Sequence, residues 1–165
     1  MIVWIEKPLV LMLHDRQIAE HGGSPGLRDE NLLDSALARP QQRYAYGDPP
    51  PDLAALAASL AFGIAKNHAF VDGNKRSAIV ACETFIELNG ASLTASDAEV
   101  YPAILGLAEG HISETEFAGW LREHLRLDSP PGEVQEPRAH YRAASGRAQP
   151  GKAGGPPRRR HAPRR

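Results

Sequence analysis

The sequence predicts an all-α fold, a bundle of about six helices, on three observations. Apolar residues between positions 8 and 128 recur mainly at helical spacing. No run of alternating β-branched residues marks a strand, and capping residues or helix-ending Gly and Pro punctuate the stretch at helix-length intervals. The chain has 165 residues, 42% of them hydrophobic, enough for one compact domain, which is set at residues 1–128.

A first helix is expected over about Lys7 to Glu20, with Leu9, Met12, Leu13 and Ile18 on its apolar face and His21-Gly22-Gly23 ending it. Only Met1 to Ile5 reads as an extended start. A second helix is expected from Asp29 to Arg39, where Leu32, Leu33, Ala36 and Leu37 form a stripe and Pro40 stops it. Residues Gln41 to Pro51, with Tyr44, Tyr46, Gly47 and three prolines in a row, read as an irregular surface connection.

From Asp52 to Asn67 the chain is apolar nearly all round, through Leu53, Leu56, Leu60, Phe62 and Ile64, as suits a helix at the centre of a bundle. The next helix begins at Gly73 or Asn74 and runs to Leu88, with Ile79, Val80, Phe85 and Ile86 as core and Asn89-Gly90 as a left-handed cap. Capping boxes at Ser96-Asp97-Ala98-Glu99 and Ser113-Glu114-Thr115-Glu116 open two more helices, ending near Ala108 and Leu127. Phe117, Trp120, Leu121 and Leu125 give the last its core stripe.

Between the third and fourth helices lies His68-Ala69-Phe70-Val71-Asp72-Gly73-Asn74-Lys75-Arg76. A helix starting at Gly73 or Asn74 offers free N–H groups and the positive end of its dipole to a phosphate, and Gly73 lets a backbone approach closely. Lys75 and Arg76 oppose that dipole in the first turn, which an anionic ligand would compensate. Asp72 is a hard oxygen donor able to share Mg²⁺ with a polyphosphate, or alternatively an N-cap. His68 can take a proton from an attacking hydroxyl, or alternatively pack or cap. Phe70 reads as an inward anchor.

These nine residues resemble the signature of the Fic/Doc family, in its Doc (death on curing) toxin branch. The similarity extends along residues 8–126, through Leu13-His14-Asp15, His21-Gly22-Gly23, Ala45-Tyr46-Gly47 and Glu87-Leu88-Asn89-Gly90. The resemblance implies a Fic-type helical bundle that serves as the toxin of a type II toxin–antitoxin pair, with ATP and Mg²⁺ as cosubstrates. It implies His68 as general base, Asp72 as metal ligand, Gly73 and Asn74 as the phosphate-binding turn, and Lys75 and Arg76 as phosphate cations.

AMP-transferring Fic proteins usually carry Gly-Asn-Gly-Arg with another Arg three residues on. Here Lys75 replaces the second Gly and Ile79 takes the place of the later Arg. In the Doc branch this pattern goes with a reversed nucleotide and γ-phosphate transfer to a threonine of elongation factor Tu. The resemblance therefore implies a protein serine/threonine kinase that arrests translation, with AMP transfer as the alternative on the same fold. A noncatalytic phosphate- or RNA-binding module is the alternative from another class. The seven histidines are scattered and offer no zinc ligand set. No self-inhibitory Ser/Thr-x-x-x-Glu-Gly/Asn pattern occurs, so a Phd-like antitoxin acting in trans is the expected partner, and an apolar bundle face could serve a homodimer.

Residues 1–128 carry 10 Lys/Arg against 18 Asp/Glu, while residues 129–165 carry 9 against 2. Poor in large apolar residues and rich in Pro, Gly and Arg, the latter segment is expected to be a disordered basic tail. Its arginines at 158–160, 164 and 165 could meet RNA, though a solvated extension without function explains them as well. The single cysteine, Cys82, falls in a helical apolar pattern and reads as a buried structural thiol. With no signal peptide or membrane span evident, the protein is expected in the cytoplasm.

Overall fold

The computed structural model describes residues 1–128. Six helices fill them: α1 (Lys7–His21), α2 (Glu30–Tyr46), α3 (Leu53–Asn67), α4 (Asn74–Leu88), α5 (Asp97–Glu109) and α6 (Glu114–His124). Two short strands, β1 (Ala91–Leu93) and β2 (Leu125–Leu127), complete the set. The reading of residues 129–165 as a disordered tail, and of their arginines as an RNA contact, lies outside the described residues.

The bundle is built around α3, which packs against α2, α4, α5 and α6. Its residues from Ala54 to Ala65 are buried almost without interruption, and most are Ala or Leu, so neighbouring helices approach closely. One such approach is to α2: a Cβ on Gly63 would stand 3.0 Å from the Ala36 Cα, so the two helices touch there through backbone. Asp52 caps α3, accepting from the Ala55 N–H at 2.9 Å while Arg122 of α6 holds its carboxylate at 2.7 and 3.0 Å. Cys82 faces Ala57 in the core, and burial pushes its thiol far above the ordinary range.

Three expectations need correction. First, α2 does not stop at Pro40 but runs through it to Tyr46. A mid-helix proline costs about 3 kcal/mol, and two anchors offset this: Pro40 is itself buried, and Arg39 and Arg43 on either side both bind Glu114 of α6. Arg39 does so through the two terminal guanidinium nitrogens, each at 2.7 Å, and lies over the Phe62 ring at 4.6 Å.

Second, α6 ends at His124, and Leu125–Leu127 turn into β2, antiparallel to β1 with Ala91 opposite Leu127 and Leu93 opposite Leu125. Three-residue strands are too short to declare a period. The left-handed cap expected at Asn89-Gly90 is provided by Gly90, at φ 80°, and β1 follows it.

Third, the inner face of α1 is Val10 and His14, whereas Met12 is exposed and Leu9 and Leu13 flank the core. In α4, likewise, Phe85 and Ile86 are buried but Ile79 and Val80 are only half covered.

Candidate active site

The loop between α3 and α4 begins where α3 is capped by His68, the one described residue other than glycine with positive φ (49°, ψ 47°). That left-handed turn breaks the helix and leaves the imidazole exposed. Arg28 reaches across from the α1–α2 connection to stabilise the break, its guanidinium donating to the backbone oxygens of His68 at 2.7 Å and Asn67 at 3.2 Å. A cation on the last carbonyls of a helix also suits its dipole.

Ala69 and Phe70 then enter the core. They are tied to the same connection by backbone bonds from Arg28 and Asp29 to the Ala69 oxygen, and from the Val71 N–H to Gly26. Phe70 is 1% exposed and anchors the loop, as its sequence position suggested.

Beyond Phe70 the chain returns to the surface at Asp72. Its Oδ1 accepts from the Gly73 N–H at 2.8 Å and its Oδ2 from the Ser24 N–H at 3.2 Å. Gly73, left-handed at φ 74°, is the N-cap residue of α4, and no side chain caps that end. Asp72 therefore does not fill the N-cap position that was the alternative reading for it. The first-turn amides of α4 remain available as donors, because a helix has no internal acceptors for them.

His68, Asp72, Gly73, Asn74, Lys75 and Arg76 line one cavity of about 300 Å³, together with Val71 and Tyr101 of α5. The Asn74 side chain is buried, and both its polar atoms are committed to the Phe70 backbone. Only its main chain can face a ligand. A second cavity of about 340 Å³ shares Arg76 and Tyr101 with the first and is floored by Ile79 and Val80.

Asp72 is the single carboxylate on the first cavity, and no group of three or more His, Cys, Asp or Glu able to hold a metal occurs among the described residues. That donor set fits Mg²⁺, which keeps several waters and shares phosphate oxygens, and does not fit zinc held wholly by protein.

Sequence reasoning missed Tyr101, Arg28, Ser24 and His14. A polar residue in register with the buried Val10 was a signal for His14; Tyr101 gave none, because only the packing of α5 beside α4 brings it to the loop.

Residues 4–86 match the model of the Fic/DOC family. Toxin Doc of Mycolicibacterium smegmatis is 49% identical over 74 residues, which are 45% of this chain and 57% of that protein. Protein kinase doc of Escherichia phage P1 is 34% identical over 113 residues, 68% of this chain and 88% of that protein.

Proposed function

The chain belongs to the Fic/DOC family, and from that premise we propose that it is the toxin of a toxin–antitoxin pair, a protein serine/threonine kinase acting on a translation factor like elongation factor Tu. The observation that carries the reading is the convergence of an exposed imidazole, a carboxylate, two cations and an uncapped helix start on one cavity. A relative named as a protein kinase supports γ-phosphate transfer over AMP transfer.

The amides of Asn74 to Arg76 and the α4 dipole receive the phosphates, with Lys75 and Arg76 adding positive charge where the transferring group gathers negative charge. Mg²⁺ bound at Asp72 would neutralise phosphate charge and align the β- and γ-phosphates. His68 accepts the proton of the incoming Thr or Ser hydroxyl. The hydroxyl oxygen bonds to the γ-phosphorus, the bond from that phosphorus to the bridging oxygen breaks, and ADP leaves. Left-handed geometry at His68 ends α3 and leaves the imidazole exposed, where an acceptor hydroxyl can reach it.

A Phd-like antitoxin restrains the enzyme in trans. No helix among the described residues is long and apolar enough to cross a membrane. Label moving from γ-labelled but not α-labelled ATP to a protein in a cytoplasmic extract is the expected result. Transfer from α-labelled ATP, or undiminished transfer by His68→Ala, would overturn the reading. Expression without antitoxin is expected to stop growth.

A further inference from the structure

Beneath the loop lies a titratable side chain that the chemistry above does not use. His14, on the inner face of α1, is 1% exposed. Its ring lies parallel to that of Phe70, with centroids 3.8 Å apart and planes 7° from each other. Its Nε2 stands 2.8 Å from the backbone oxygen of Asp72. A carbonyl oxygen can only accept, so Nε2 carries a proton and donates it.

That bond acts on more than one atom. The Asp72 oxygen and the Gly73 N–H belong to the same planar peptide unit, and the Gly73 N–H is the donor that holds Asp72 Oδ1. Stacking on Phe70 fixes the imidazole plane, and the Nε2 bond fixes the peptide. The peptide in turn fixes the carboxylate on its opposite edge and the left-handed turn from which α4 starts. An apolar residue could fill the same space without the desolvation cost of a buried imidazole; what histidine adds is the donor.

We infer that His14 is a positioning residue for the proposed reaction, setting through the Asp72–Gly73 peptide the direction of the Asp72 carboxylate and of the first α4 amides. The inference rests on the reading that this cavity holds Mg–ATP. His14 touches no substrate.

The test compares His14→Phe, which keeps a ring to stack on Phe70 but no donor, with His14→Gln, which keeps an N–H but no ring. The first measurement is amide hydrogen exchange of Gly73 and Ser24 without nucleotide. His14→Phe is expected to speed exchange at both, and His14→Gln to retain most of the protection. Removing such outer partners typically costs about 10- to 100-fold in affinity or turnover. His14→Phe is therefore expected to weaken Mg–ATP binding and lower kcat by that order while the KM for the protein acceptor stays put, with His14→Gln restoring most of both.

Gly73 exchange unchanged in His14→Phe would overturn the role of His14, as would equal losses in the two variants, which would leave only packing. Should His14→Phe not fold, His14→Gln decides: retained protection upholds the role and lost protection ends it. Wild-type protein that binds no Mg–ATP would overturn the proposed function, a result separate from the exchange data.

Discussion

Asn74 closes a ring on the backbone of Phe70, accepting from its N–H and donating to its carbonyl oxygen, both at 3.0 Å. The first residue of α4 is thereby stitched to the aromatic anchor four positions earlier, and the sharp excursion through Asp72 is held from within. Asn74→Ala leaves two buried backbone groups unpaired, for a loss of about 2–4 kcal/mol. Urea unfolding checks it, and a loss well under 1 kcal/mol would show that water replaces the amide.

His68 sits in a backbone conformation that costs a residue with a Cβ roughly 1–2 kcal/mol. His68→Gly removes that strain and adds chain entropy of about 0.5–1 kcal/mol to the unfolded state, so the melting temperature is expected to hold or rise. Phosphoryl transfer should fall by about 10²- to 10⁴-fold, the usual worth of a positioned base. A variant both less stable and fully active would contradict both halves of the argument.

Gly23 has φ 118°, and a Cβ there would come within 2.7 Å of Asp72 Oδ2. Gly23→Ala combines that collision with a disfavoured backbone angle, for about 1–3 kcal/mol, and pushes the carboxylate off the Ser24 N–H. Calorimetry is expected to show weaker Mg–ATP binding together with a lower melting temperature. Affinity equal to wild type would mean that Asp72 does not need the position seen.

Far from the loop, burial disfavours the Glu114 carboxylate, but the bidentate Arg39 contact and the nearby Arg43 outweigh it and hold its pKa below the ordinary value. A depressed acid contributes stability above its unfolded pKa, near 4.3, and loses it as pH falls through the lower folded value. Glu114→Gln should therefore cost about 1–3 kcal/mol at neutral pH, with the gap to wild type narrowing below about pH 4. A gap that does not vary with pH would mean that packing, rather than charge, carries the effect.

Much of this arrangement was legible in the sequence because local chemistry dictated it. The Ser113–Glu116 box closes as read, with Ser113 accepting from the Glu116 N–H, whereas at Ser96–Glu99 the Glu99 carboxylate accepts from both the Ser96 N–H and its hydroxyl. The start of α4 fell at Gly73 and Asn74, as read. What could not be read depended on distant parts of the chain. Pro40 looked like a stop because the Arg39 and Arg43 contacts to Glu114 lie more than 70 positions away. The structural bond of the Asn74 side chain was equally hidden, because nothing local reveals that Phe70 turns its backbone inward.

His68, Asp72 and Arg76 are all exposed to solvent. A nucleotide placed among them would meet bulk water as readily as a protein hydroxyl, so idle ATP turnover is the natural competitor of the reaction. Fidelity then belongs to the visiting surface: whichever protein settles over the cavity supplies the dryness that this small scaffold leaves to its guest.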